Sequence, residues 1–192
     1  MTRHIILLTG TVEAPHLTDV LESTGARLSI THAPNRRALE DAVPDVSDPE
    51  AANGAHVLIA YCTDVIVPGA MLAPFRGWAY NFHPGPPTLP GVAAAHFALH
   101  QEAKQFGVTA HVMTERVDAG PIVGVKLFDV PKRATVTELE EKAYVQLFRL
   151  FQRLAPMLAA SETPLPPLDV AWSGRTNTRK DVERMREEDP YF

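Results

Sequence analysis

Asn81 and His83 stand two residues apart at the end of an apolar, aromatic run (Trp78, Ala79, Tyr80), and the chain turns at once into Pro84-Gly85-Pro86-Pro87. A buried strand that empties into a rigid loop has this appearance. Strand alternation puts both side chains on one face. At the carboxyl end of a strand in an open α/β sheet, that face borders the crevice where ligands bind. The pair joins an amide to an imidazole that titrates near neutral pH, the ingredients of hydrogen-bond stabilisation and acid–base chemistry. An isolated Asn-x-His also reads as a turn cap beside a satisfied histidine, so the pair gains weight only from companions. One companion is Asp118 in Val117-Asp118-Ala119-Gly120-Pro121, a tight-turn sequence able to bring the carboxylate back to the strand end. A carboxylate at that distance favours imidazolium, which predicts a raised pKa for His83.

Eight histidines also raise the question of a metal. His96 and His100, one helical turn apart, could join His83 and Asp118 in a metal-dependent hydrolase. The intervening Phe97-Ala98-Leu99 lacks the glutamate of the zinc-protease motif, and histidines at that spacing are more often packing or surface residues. The reading assigns no metal.

The elements that must position these groups follow from the hydrophobic pattern. His4 to Thr9 is a continuous apolar run of the kind found in parallel strands covered on both faces. Pro15 suits the first turn of a helix that turns Leu17, Val20 and Leu21 inward and is stopped by Gly25. A strand over Arg27–Thr31 leads to Asn35, the predicted N-cap of a helix through Ala42. Residues 44–54 read as a loop, His56–Tyr61 as a strand, and Val65-Ile66-Val67-Pro68 as the opening of a short helix ending near Gly77. The site strand Trp78–His83 comes next, then a helix over Ala93–Ala103 and strands over Val108–Met113 and Ile122–Val130. A long helix over Val136–Leu158 carries Leu139, Ala143, Leu147, Leu150, Phe151 and Leu154 at helical spacing. Alternating strands and helices predict an α/β fold, a three-layer, open, mostly parallel sheet with right-handed crossovers.

Composition sets the outer bounds. With 192 residues and 45% hydrophobic content, the chain suits one compact domain over residues 1–160 with an appendage over 161–192. That appendage holds Pro164, Pro166 and Pro167, an extended arm, and then Thr178-Arg-Lys-Asp181, a capping-box pattern opening a charged final helix. No apolar run is long enough to span a bilayer, and the opening residues lack signal-peptide architecture, which predicts a cytoplasmic protein. The single Cys62 agrees, since it can close no disulfide within the chain. A net charge of -5 disfavours a broad nucleic-acid footprint.

Taken together, Asn81, His83, the proline-rich loop to Pro90-Gly91, a helix, Gly107-Val108-Thr109-Ala110-His111 and Val117-Asp118-Ala119-Gly120-Pro121 resemble the signature of formyltransferases that use 10-formyltetrahydrofolate. Methionyl-tRNA, glycinamide ribonucleotide and sugar N-formyltransferases share it. The resemblance implies a Rossmann-like formyltransferase fold with Asn81, His83 and Asp118 as catalytic triad. It also implies a folate pocket walled by Val65, Ile66 and Val67 on one side and Met113 and Val117 on the other. Formyl transfer to an amine would use Asn81 and His83 to hold the oxyanion, with His83 and Asp118 handling the proton.

Departures from the family pattern narrow the acceptor. Val65 replaces an arginine of the purine-pathway enzyme, whose glycine-rich phosphate loop has no counterpart after Leu8-Thr9-Gly10. The chain shows Gly85-Pro86-Pro87-Thr88-Leu89-Pro90 where methionyl-tRNA formyltransferases have Ser-Leu-Leu-Pro, and it ends before a tRNA-gripping C-terminal domain. By resemblance and elimination, the partners are a folate and a small amine, a nucleotide-linked amino sugar ahead of tRNA. Hydrolysis of formyltetrahydrofolate and simple folate binding stay open as alternatives. The 161–192 arm either covers a sheet edge or contacts substrate. Phe75, Trp78, Tyr80 and Phe82 suit a homodimer interface or a buried strand equally.

Overall fold

The continuous apolar runs of the first half of the chain become the centre of the sheet. The computed structural model describes residues 2–47, 54–173 and 175–188. Residues 48–53 of the predicted 44–54 loop, and Gly174, lie outside the described residues. The order is β1 (Arg3–Leu8), α1 (Glu13–Glu22), β2 (Leu28–Ala33), α2 (Arg36–Ala42), β3 (His56–Tyr61), α3 (Gly69–Leu72, followed by a 3-10 turn over Ala73–Phe75) and β4 (Ala79–His83). Then come α4 (Ala94–His100), β5 (Gln105–Val112), β6 (Ile122–Asp129), α5 (Val136–Ala160) and α6 (Arg179–Glu188).

The strands form one sheet in the order β2-β1-β3-β4-β5-β6. β2, β1, β3 and β4 run parallel, while β5 lies antiparallel to both β4 and β6. The α/β reading therefore holds, with the antiparallel part confined to the half built from the later strands. Ile5–Leu8 and Val57–Tyr61 are buried along their whole length, as strands covered on both faces must be.

Local signals explain the helix ends. Asn35 is an N-cap, its side chain accepting from the Ala38 N–H at 3.0 Å. Thr135 and Glu138 form a full capping box at the start of α5. Thr178 and Asp181 exchange hydrogen bonds in the same way before α6. The six apolar residues predicted to face inward from α5 are all buried. Helix α4 is shorter than its predicted span, because Ala93 and Glu102 adopt left-handed backbone and bracket it. No described helix is long and apolar enough to cross a membrane.

Candidate active site

Alternation on β4 divides its side chains between two jobs. Phe82 packs edge-on against Phe151 of α5, ring centroids 5.2 Å apart, and Tyr61 of β3 meets the same ring at 6.0 Å. That anchorage sends Asn81 and His83 to the opposite face. The antiparallel register pairs Asn81 with His111 and His83 with Thr109, so His111 of β5 joins them.

Asp118 arrives from the 113–121 loop. The loop is held at both ends, Met113 N–H donating to the Ala79 carbonyl at 2.7 Å and Val112 N–H to the Pro121 carbonyl at 2.9 Å. At Gly120 a β-carbon would collide with the Val112 carbonyl oxygen, so only glycine allows the closure. Asp118 has φ of 44°, a left-handed conformation that costs an ordinary residue roughly 1–2 kcal/mol.

Four groups converge on this carboxylate. Oδ2 accepts the Gly91 N–H at 2.8 Å and lies 3.3 Å from His83 Nδ1. Oδ1 lies 3.1 Å from His111 Nε2 and 3.3 Å from Asn81 Nδ2. Each imidazole is also held at its other nitrogen, His83 Nε2 facing the Leu89 carbonyl at 3.3 Å and His111 Nδ1 the Val112 carbonyl at 2.9 Å. Four ring nitrogens thus face four oxygens that can only accept from them while Asp118 is ionised. Two neutral imidazoles carry two N–H groups between them, and the cluster has room for a further proton.

Asn81 completes the cluster through its amide nitrogen. Its Nδ2 lies 3.3 Å from Asp118 Oδ1 and 3.2 Å from His111 Nε2, two atoms that are themselves 3.1 Å apart, so one amide hydrogen faces both and the other points away from them. The second N–H is therefore open to an incoming oxygen.

The predicted rise in the His83 pKa is corrected by the structure. Burial pushes the imidazole below its ordinary value, and Asp118 and the Leu89 carbonyl pull upward without offsetting it, while His111 lowers it further. Desolvation of the buried ring exceeds the pull of its charge partner. For Asp118 burial acts upward, yet the His111 hydrogen bond, the nearby His83 and the Gly91 N–H outweigh it and keep the carboxyl below its ordinary value. A neutral His83 beside an ionised Asp118 is a base ready to accept. Cys62, which lines the same site, is pushed up to about 12 by burial and by Glu13, so its thiol is no nucleophile at neutral pH.

A cavity of about 430 Å³ opens beside the cluster at the carboxyl ends of β3 and β4. Cys62, Thr63 and Asp64 wall it on the β3 side, Asn81 and His83 form its floor, and Glu140 and Tyr144 of α5 close another side. None of Val65, Ile66, Val67, Met113 or Val117 lines it. Those five lie on two segments that approach each other elsewhere: a β-carbon at Gly69 would sit 3.7 Å from the Glu115 side chain. Val67 is buried, whereas Ile66 and Val117 leave large apolar surfaces exposed. His96 and His100 lie on α4, and no three His, Cys, Asp or Glu side chains form a metal-ligating group among the described residues.

Two contributors escape sequence reasoning. His111 stands in a quoted motif, but only the register of β5 against β4 reveals that it shares Asp118. Trp172, from the arm, meets His111 edge-on at 5.1 Å between ring centroids and His83 at 6.0 Å, and no local pattern marks it.

Known proteins resemble this chain at three levels. The family model described as formyl transferase matches residues 16–149. Methionyl-tRNA formyltransferase of Bacillus pumilus is 31% identical over 100 residues, covering 52% of this chain and 32% of that protein. The Enterococcus faecalis methionyl-tRNA formyltransferase is 25% identical over 213 residues, covering 96% of this chain and 68% of its own length. The chain thus spans about a third of the first relative and about two thirds of the second. Among solved structures, the formyltransferase PseJ from Anoxybacillus kamchatkensis, in complex with UDP-4,6-dideoxy-4-formamido-L-AltNAc and tetrahydrofolate, superimposes with a TM-score of 0.70. At 18% identity over 95% of this chain and 88% of that one, the likeness shows the fold. With the family model spanning α1 to the middle of α5 and taking in Asn81, His83, His111 and Asp118, the chain belongs to the formyl transferase family.

Proposed function

We propose that this protein transfers a formyl group from 10-formyltetrahydrofolate to a primary amine. The observation that carries the reading is the convergence of Asn81, His83 and His111 on buried Asp118 beside a cavity, in a chain of the formyl transferase family. The folate donor supplies an electrophilic formyl carbon, and Val65, Ile66, Val67, Met113 and Val117 wall its ring. Asn81 donates to the oxygen on which negative charge develops, an interaction of roughly 3 kcal/mol by analogy with other oxyanion donors. His83 takes the proton that the attacking amine must lose, directly or through one water, and Asp118 holds the resulting imidazolium. The same group returns the proton to the folate nitrogen as it departs, so the cluster ends the cycle unchanged.

The acceptor we favour is a nucleotide-linked amino sugar. Its support is the PseJ complex, in which a protein of the same fold holds a formamido sugar nucleotide and tetrahydrofolate. The test is release of tetrahydrofolate from the donor in the presence of a panel of amines, with water alone as control. Release that requires one class of amine establishes the transferase and identifies its acceptor. Release with water alone replaces transfer by hydrolysis, and absence of folate binding removes the donor from the account.

A further inference from the structure

The segment beyond α5 runs across the sheet into the catalytic cluster. Leu165 is buried and donates its N–H to the Tyr80 hydroxyl at 2.9 Å; Leu168 donates to the Ile122 carbonyl at 2.7 Å. Beyond Trp172, Ser173 N–H reaches the Pro87 carbonyl at 3.0 Å, and Asn177 pairs with Pro90 and Val92 around Gly91. These bonds fix the backbone on both sides of Trp172, so its ring position is specified by the fold.

The indole makes two kinds of contact. Its ring lies nearly perpendicular to the His111 ring, at 87°, and crosses the His83 ring at 63°. Its Nε1–H donates to the Gly120 carbonyl at 2.8 Å, two residues after Asp118, in the turn that has no room for a β-carbon. One side chain thus touches both imidazoles and grips the turn that delivers their shared carboxylate. Gly91, whose N–H caps Asp118, is pinned from the same segment by Asn177. A residue that only covered apolar surface would need neither the indole N–H nor the ring edges on two histidines.

We propose that Trp172 is a positioning residue of the formyl-transfer centre, covering His83 and His111 and anchoring the Gly120 turn so that the arm completes the site. The inference rests on the function proposed above. The groups that face His83 are Asp118 and His111, with Cys62, Asp64, Glu140 and Tyr144 around the adjoining cavity. Removing the ring admits water to both imidazoles and loosens Asp118, whereas phenylalanine keeps the cover and loses only the bond to Gly120.

The experiment compares the full chain with Trp172→Phe and Trp172→Ala. Transfer is read as kcat and KM across pH, and the imidazole titrations are followed by NMR in the same proteins without substrate. Trp172→Ala is expected to lower kcat on the order of 10²-fold with the donor KM nearly unchanged, and to move the acid limb upward towards the ordinary histidine range. Trp172→Phe should keep the wild-type acid limb and lose several-fold in kcat. Wild-type kcat and an unmoved acid limb in a folded Trp172→Ala protein would overturn the proposal while leaving formyl transfer standing. If the wild type transfers no formyl group, the NMR titrations decide alone: histidine titrations shifted upward in Trp172→Ala support the placement, and unshifted ones overturn it.

Discussion

Asp118 is the residue on which Asn81, His83, His111 and the Gly91 N–H converge, and its replacement separates orientation from fold. Asp118→Asn keeps size and a polar contact for Gly91, but it removes the charge that both imidazoles face. Turnover should fall on the order of 10²- to 10⁴-fold while cooperative unfolding persists, measured by kcat and a thermal melt. His83 supplies a second prediction with a definite sign. Its folded value lies below its unfolded value of about 6.5, so the unfolded chain binds more protons as pH falls through that point. Stability from this group is present above about pH 6.5 and declines on acidification. Activity should extend to lower pH than an exposed histidine would allow. A kcat profile falling with an acid limb above 6.5 would show that Asp118 outweighs burial after all. The placement of Asn81 and His83 on one face was legible in sequence because alternation on one strand is local. The direction of the pKa shift was illegible, since burial of a side chain belongs to its whole surroundings.

Single elements carry the next set of consequences. The β5–β6 connection must return Asp118 to β4, and Gly120 makes that return possible against the Val112 carbonyl. Gly120→Ala should cost roughly 1–3 kcal/mol of stability through the forced displacement. Its effect on kcat should exceed that on the melting midpoint, because the displaced segment holds Asp118 and bonds Trp172. Equal fractional losses across a series of loop variants would mark Gly120 as merely structural. Helix α5 was readable residue by residue, since its period of 3.6 and its capping box are local signals. The shortening of α4 was not, because left-handed turns at Ala93 and Glu102 occupy residues without a turn-forming signature.

For the molecule as a whole, the Tyr80 phenol is one of the bonds that join the arm to the sheet, beside Leu168 N–H on the Ile122 carbonyl. Tyr80 lies within β4 on the side facing away from Asn81, and its hydroxyl accepts the buried Leu165 N–H. Tyr80→Phe leaves that donor without a partner and should lower stability by roughly 1–3 kcal/mol, read as a shift in the denaturant midpoint. Arg3 makes a comparable link at the other end, lying 4.7 Å over the Trp78 ring and donating to the Leu158 carbonyl at the end of α5 at 2.9 Å. We propose that residues 161–192 act as part of the same cooperative unit as residues 1–160, a division made on composition alone. A single unfolding transition with unchanged steepness in Tyr80→Phe supports this, and two transitions would separate the arm from the core.

The sequence by itself determined the α/β alternation, the ends of α2 and the start of α5, the placement of Asn81 and His83 on one face, and the family signature. The first three follow from spacing over a few residues, where backbone geometry leaves little freedom, and the last from a resemblance carried by short motifs. Only the tertiary structure decided that His111 shares Asp118, that burial outweighs the carboxylate at His83, and that Trp172 reaches the site from a segment 52 residues beyond Gly120. Strand register, desolvation and long-range docking depend on groups distant in sequence, and these become neighbours only when the antiparallel half of the sheet and the arm have closed around them.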